Sequence, residues 1–432
     1  MPQTPLQAAR KPELLAPAGG WEQLEYAIRF GADAVYLATD RFGMRAKASN
    51  FALAEMPRVV EYAHARGVAV HVACNVVMHD ADLPQLACYL RELEASGVDA
   101  LIVSDLGALR LARRHAPGVD LHVSTQASVA NAEAALAWHE LGAKRIVCAR
   151  EMSLQAIAQM RRELPDTLEL ECFVHGSMCM AYSGRCLISD YLTGRSANKG
   201  LCTQSCRWSY ALQEAKRPGE YFEVEEHEEG SYVLNSRDLC MLGHLDELAA
   251  AGVDSVKIEG RNKKAFYVAT VVNAYRQVLD GADPAAFAGE LDTFSHRPYS
   301  TGFYFGPAHQ APACPDGVQS YDWVASVIAC EPAPGGWEAE IHCRNRFACG
   351  DELEVLSPGL PVRAFAARDL RWIPASAGEG GAPCAAVPAD APPEPAPLAN
   401  RAMERYLLAS DVELRPHDIL RIRREQRGGT PI

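Results

Sequence analysis

Between Leu168 and Tyr210 the chain reads LELECFVHGSMCMAYSGRCLISDYLTGRSANKGLCTQSCRWSY, and five of its fourteen cysteines fall in this one segment, four of them within 28 residues. Cys179, Cys186, Cys202 and Cys206 are spaced Cys-x6-Cys-x15-Cys-x3-Cys. Thiolate is a preferred ligand of zinc and of iron-sulfur iron, and paired short spacings let one loop offer two ligands to one centre. Gly176, Gly184 and Gly200 suit a backbone that curls round such a centre. Three readings stand open: a 4Fe-4S cluster, a structural four-cysteine zinc site, and unrelated core thiols. The x6 and x15 gaps depart from the Cys-x2-Cys knuckles of zinc ribbons. Cys172 lies in an apolar run and reads as core, whereas Cys240, in NSRDLC, is a reserve ligand. His175, four residues before Cys179, is a candidate proton shuttle because imidazole ordinarily titrates near neutrality.

The elements that must position these groups announce themselves by a recurring phrase, a glycine, a small residue and a β-branched run: GADAVYLA, GVAVHVAC, GVDALIVS, GAKRIVCA and GVDSVKIE. Each follows a stretch with apolar residues three and four apart, as in a helix packing one face on a sheet, and the glycine fits a helix C-cap. With ELLAPAG, LHVSTQAS and LELECFVHG this gives eight short buried parallel strands. The fold class expected is α/β, a (β/α)8 TIM-like barrel with a Cys-rich metal-binding insertion and a small C-terminal antiparallel β-domain. A doubly wound sheet predicts much the same alternation, but no G-x-G-x-x-G follows the first strand. In either fold, polar residues at strand C-termini face the active site, here Glu13, Asn75, Gln126, Arg150, Glu151, His175, Glu259 and Arg261. Gln126, Arg150, His175 and Glu259 are the candidate catalytic set.

The barrel is expected over 1–315, with the cysteine segment at 172–210, and the β-domain over 316–432, where WVASVIA, WEAEIHC and DELEVLS alternate apolar and polar. A Pro/Ala-rich stretch, 374–399, reads as a flexible insertion. Lys plus Arg at 42 against Asp plus Glu at 55 gives a net charge of −13, which disfavours coating nucleic acid by bulk charge. The one basic cluster, from Arg415 to Arg427, is expected to be a solvated tail or a local phosphate contact. No export signal and no apolar run of about 18 residues occurs, so the expectation is a cytoplasmic protein without a membrane partner.

The run FVHGSMCMAYSGRCLIS followed by NKGLCTQSCRW, with ELLAPAG, GADAVY, HVSTQASVAN, EAKRPGEY, LNSRDL and KIEGR, resembles the signature of the collagenase-like peptidases over almost the whole barrel. EAKRPGEY and the overall length resemble the branch of that family which forms 5-hydroxyuridine at the wobble position, uridine 34, of tRNA. The resemblance implies an oxygen-independent hydroxylase with an iron-sulfur cluster on Cys179, Cys186, Cys202 and Cys206, and prephenate as source of the hydroxyl group. Adding a hydroxyl at uracil C5 is a two-electron oxidation that acid and base side chains cannot perform alone, which suits such a cofactor and an electron donor protein. The two carboxylates of prephenate would call for arginine forks, for which Arg150, Arg185 and Arg261 are candidates. Tyr182 and Trp208 are candidate stacking surfaces for a base of the anticodon loop, and Lys263 and Lys264 candidate phosphate contacts. The family's older name keeps a peptidase open, although neither H-E-x-x-H nor G-x-S-x-G occurs. A zinc-bearing scaffold that binds RNA or protein is the third reading.

Overall fold

The computed structural model describes residues 11–44, 49–179, 186–208, 211–213, 221–223, 237–307, 319–374 and 392–424. Eight parallel strands form at the eight expected places: β1 (Glu13–Pro17), β2 (Ala34–Leu37), β3 (Ala69–Cys74), β4 (Ala100–Val103), β5 (Asp120–Val123), β6 (Arg145–Val147), β7 (Glu169–Ser177) and β8 (Ser255–Ile258). They pair in that order, and β8 pairs with both β7 and β1, so the sheet closes into a barrel. Most strand residues are fully buried, because one face fills the interior and the other lies under helices.

Between the strands run α1 (Trp21–Arg29), α2 (Met56–His64), α3 (Leu83–Ala95), α4 (Leu106–His115), α5 (Ala132–Glu140) and α6 (Leu154–Glu163). A short α7 (Ile188–Thr193) lies in the cysteine segment, α8 (Leu245–Ala250) precedes β8, and α9 (Ala265–Leu279) follows it. The side chains of Asp105, Asn131 and Ser153 accept the orphan N–H groups that start α4, α5 and α6. The recurring glycine is explained by backbone geometry: Gly31 and Gly97 turn out of their helices at φ +104° and +78°, a region closed to most side chains. α9 buries eleven of its fifteen residues against the barrel.

The chain divides into two compact units, 1–288 with 296–317, and 289–295 with 318–432. Gly289–Ser295 thus groups with the second unit instead of with the barrel to which the sequence reading gave it. The second unit is an eight-stranded antiparallel sheet with Tyr321–Ala333, Gly336–Cys343 and Ile419–Arg423 at its centre. Two expectations are corrected here. The segment 374–399 is not all linker: Glu394–Pro395 pairs with Arg371–Trp372, and Leu398–Ala399 with Phe347–Ala348. Nor is the basic run from Arg415 a tail. Its Ile419–Arg423 is a central strand, and Arg421, 1% exposed, donates to Glu290 at 2.6 Å and to Glu354 at 2.8 Å. Arg423 donates to the Tyr321 hydroxyl at 3.1 Å and Arg424 to Asp322 at 3.2 Å. Arg421 and Arg424 thus pair with carboxylates of their own unit, and the arginines after Arg424 lie outside the described residues. No described helix is long and apolar enough to cross a membrane.

Candidate active site

The ends of the barrel strands surround a narrow pocket. Its floor rests on an ionic ladder inside the barrel, where TIM barrels ordinarily stack aliphatic side chains. Arg145, at the start of β6, donates to Glu13 at 2.7 Å, to Glu169 at 2.7 Å and to Glu171 at 3.2 Å. Glu171 in turn accepts from Lys257 Nζ at 2.8 Å, and that ammonium reaches the pocket, 4.4 Å from the Tyr36 ring centroid. Burial acts to raise the Glu13 carboxyl, but the hydrogen bond and charge of Arg145 prevail and hold it below its ordinary range. Burial lowers Lys257 against the opposing pull of Glu171. His71 and His122 lie beside this ladder with ring centroids 4.8 Å apart; burial pushes His71 down to about 4 and His122 well below its ordinary value. Glu13 is thus placed at the opposite end of its strand from the position first expected, inside the barrel next to Arg145 and Ser255.

The pocket walls bring Gln126, Arg150, Glu259 and Arg261 together. Arg150 lies with its guanidinium carbon 3.9 Å from the Phe173 ring centroid, donates to the Ser177 carbonyl at 3.0 Å, and stands 3.8 Å from Glu259. Its Nε is buried without a hydrogen-bond partner among the described residues. Arg261 is 4% exposed and donates to the Met44 carbonyl. Gly19, in the ELLAPAG phrase, permits this closure: a Cβ there would sit 2.0 Å from the Arg261 carbonyl oxygen. The Tyr36 hydroxyl donates to the Ile258 carbonyl at 3.0 Å, with Glu259 at 3.5 Å. Three buried cations, Arg150, Lys257 and Arg261, thus face the pocket against one carboxylate, Glu259. Such a cavity accepts a small anion, and two rings, Tyr36 and Phe173, flank it.

His175 is not brought into this constellation. It lies in β7 opposite Cys240, between the rings of Tyr275, Tyr299 and Tyr267, and burial pushes its pKa down to about 3 against the pull of Asp238. A ring that stays neutral where imidazole ordinarily exchanges protons replaces the expected shuttle. Trp208 is 48% exposed, Lys264 is an exposed N-cap of α9, and Lys263 lies 5.2 Å from the Tyr267 ring centroid. Glu151 follows β6 but does not line the pocket. Tyr182 and Arg185 lie outside the described residues. Sequence reasoning missed Lys257, Tyr36, Ser124 and Thr125 as pocket residues. Lysine within an otherwise apolar strand, in VKIEG, was the available signal for the first.

The cysteine segment is anchored beside the pocket mouth. Val77, after β3, donates to the Asn198 carbonyl at 3.2 Å, Lys199 donates to Asp82 at 3.0 Å, and Cys186 N donates to Asn198 Oδ1 at 3.3 Å. Cys179 is exposed, Cys186, Cys202 and Cys206 are half-buried, and none of the four is in a disulfide. Cys202 Sγ accepts from the Gln204 N–H at 3.3 Å. By its chemistry this donor set suits a thiophilic metal centre. Among the described residues no three His, Cys, Asp or Glu side chains are drawn together as a metal site, so it is the chemistry of the four thiols, not their arrangement, that fits such a centre. Cys172 is core, as expected.

A closed parallel barrel whose polar, buried and partly unsatisfied side chains converge at the strand C-termini is the arrangement of a barrel enzyme. Residues 19–312 match peptidase family U32 and residues 319–421 the peptidase family U32 C-terminal domain. The chain belongs to peptidase family U32. It is 34% identical over 399 residues to tRNA hydroxylation protein P of Escherichia coli (strain K12), covering 81% of this chain and 86% of that one. It is 40% identical over 268 residues to a 23S rRNA 5-hydroxycytidine synthase of the same organism, covering 62% and 39%. A protein named collagenase, from Porphyromonas gingivalis (strain ATCC BAA-308 / W83), is 30% identical over 312 residues, covering 68% and 73%.

Proposed function

We propose that this chain is a tRNA hydroxylase that converts the wobble uridine to 5-hydroxyuridine, with prephenate as co-substrate. Two relatives named for hydroxylating RNA support the reaction class. The observation that carries the co-substrate is the buried, unpartnered Nε of Arg150, beside Lys257 and Arg261 in one pocket. A dicarboxylate supplies acceptors for all three cations, while Tyr36 and Phe173 cover its ring. Glu259, which lies near Arg150 and Tyr36, would take the proton that leaves C5 of the pyrimidine. Cys179, Cys186, Cys202 and Cys206 would hold a 4Fe-4S cluster, which when bound supplies the electron transfer that these side chains lack.

The collagenase relative favours a second reading, peptide hydrolysis. Against it, no cysteine or histidine stands among the described residues that line the pocket, so no Cys–His nucleophile pair faces a substrate there.

The test is nucleoside mass spectrometry of tRNA from cells lacking the gene, complemented by wild-type protein or by Cys179→Ala/Cys202→Ala. We expect 5-hydroxyuridine derivatives to vanish on deletion, to return with the wild type and to stay absent with the double variant. Protein purified without oxygen should carry about four iron and four sulfide per chain. Unchanged 5-hydroxyuridine in the deletion, grown without oxygen, would sink the reading. Stoichiometric zinc without sulfide would replace the cluster by a structural site.

A further inference from the structure

A wider cleft adjoins the pocket and shares three residues with it, Met44, Asn75 and Gln126. Its outer walls include exposed Val77 and Leu106, together with Trp138 and, from the cysteine segment, Asn198. At the border between the two cavities a chain of hydrogen bonds fixes which atoms the amides present. The Met44 backbone N–H, which can only donate, gives its proton to Asn75 Oδ1 at 3.1 Å. The other end of that amide is therefore Nδ2, and it donates to Gln126 Oε1 at 2.9 Å and to Ser124 Oγ at 3.1 Å. Ser124 Oγ also donates to Gln126 Oε1. With its oxygen engaged twice, Gln126, which lines both cavities, keeps its Nε2 as a donor that no described group accepts from. The backbone thus dictates, through two side chains, that the border presents a donor.

A pyrimidine distinguishes itself at C4. Uracil carries a carbonyl there, which accepts, and cytosine an amino group, which donates. We propose that the outer cleft receives the target base and that Gln126 Nε2–H donates to its C4 carbonyl, which makes Gln126 the residue that selects uridine over cytidine. The inference rests on the reading of the chain as a tRNA uridine hydroxylase. Cytosine in the same pose sets donor against donor, and turning the Gln126 amide to accommodate it would break its bonds with Asn75 and Ser124.

The test uses full-length protein in cells lacking the endogenous activity, with reporter tRNAs that carry uridine or cytidine at the modified position. Mass spectrometry reads 5-hydroxyuridine and 5-hydroxycytidine, and fluorescence anisotropy reads the affinity of purified protein for the matching stem-loop RNAs. Gln126→Glu keeps acceptors for Asn75 and Ser124 but presents an acceptor to the base; Gln126→Met presents neither group. Asn75→Asp offers Gln126 an acceptor and turns its amide round. We expect the uridine-to-cytidine ratio to fall at least about tenfold in Gln126→Glu, less in Gln126→Met, and in the same direction in Asn75→Asp. Wild-type ratios in both Gln126 variants would overturn the proposal. Should Gln126→Glu lose turnover on both RNAs, the ratio of affinities decides in the same sense. Wild-type protein that makes no 5-hydroxyuridine removes the underlying reading itself, a different failure.

Discussion

Glu171 is fully buried within the barrel, 2.8 Å from Lys257 Nζ and 3.2 Å from Arg145 Nη1. Glu171→Gln preserves the shape and one acceptor but removes the charge that offsets an ammonium only 4% exposed. Arg145 keeps Glu13 and Glu169, each at 2.7 Å, so the loss falls on Lys257. Breaking a buried pair by removing one partner costs ~3–5 kcal/mol. For a unit of this size that is a fall of ~6–10 °C in melting temperature. Lys257→Met leaves Glu171 with Arg145 and should cost less, ~1–3 kcal/mol. The double variant should cost less than the sum of the two by ~2 kcal/mol or more, since neither charge is then stranded. The effect also has a sign in pH. Burial lowers the Lys257 pKa from 10.5, and losing Glu171 lowers it further. Between the folded pKa and that ordinary value the unfolded chain binds more protons, so stability rises with pH. The deficit of Glu171→Gln should therefore shrink as pH rises toward 10.5. Scanning calorimetry of wild type, both single variants and the double variant measures all of this. Additive single variants, or a Glu171→Gln melting temperature within about 2 °C of wild type at pH 7, would refute the coupling.

Arg150→Lys keeps the charge but loses the fork, and should raise KM for the dicarboxylate by about 10- to 100-fold with a smaller change in kcat, measured by steady-state turnover at unchanged melting temperature. His71, held near 4 by burial, stays neutral in the fold while the unfolded chain takes up its proton below pH 6.5; stability present above 6.5 is lost toward pH 4 at roughly 1.4 kcal/mol per pH unit. His122 and His175, lowered by burial in the same way, add to that slope, so urea unfolding at pH 7, 6 and 5 should show His71→Gln reducing it by roughly 1.4 kcal/mol per pH unit and not abolishing it. Arg421→Met strands Glu290 and Glu354 and should destabilise the C-terminal unit by ~3–5 kcal/mol, whereas Arg424→Ala, with a side chain 48% exposed, should cost at most about 1 kcal/mol by the same unfolding measurement.

The barrel could be read from the chain because five of its eight strands repeat one local statement: a helix stripe at period 3.6, a glycine that must turn left-handed, and a short β-branched run. All three are short-range facts of sequence. Polar residues just beyond strand ends were found for the same reason, and Gln126, Arg150, Glu259 and Arg261 do meet. What went wrong was decided by long-range partners. Glu13 was counted with the strand ends although it begins its strand, and its partner Arg145 is 132 residues away. Arg421 resembled part of a solvated tail because Glu290, 131 residues earlier, and Glu354, 67 residues earlier, had no visible link to it. His175 carried its ordinary chemistry only until the tyrosines of β7's neighbours closed round it.

The same distinction explains why the pocket can hold three cations. A lysine at the end of an apolar barrel interior would shed its proton, since burial alone disfavours the ammonium. Here the interior is not apolar. Arg145 secures Glu171 from below, Glu171 secures Lys257 from below, and the one direction left to the ammonium is upward, toward Tyr36 and the cavity. Arg150 and Arg261 need no such support, because a guanidinium remains charged in surroundings where an ammonium does not. The ladder is thus the structural condition for the third positive charge, and a change at Glu171 should alter affinity for a dicarboxylate even though its carboxylate does not line the pocket. Equal dicarboxylate affinity in wild type and Glu171→Gln, measured by calorimetric titration at a temperature where both are folded, would show that Lys257 is held for the barrel's own stability and not for the ligand.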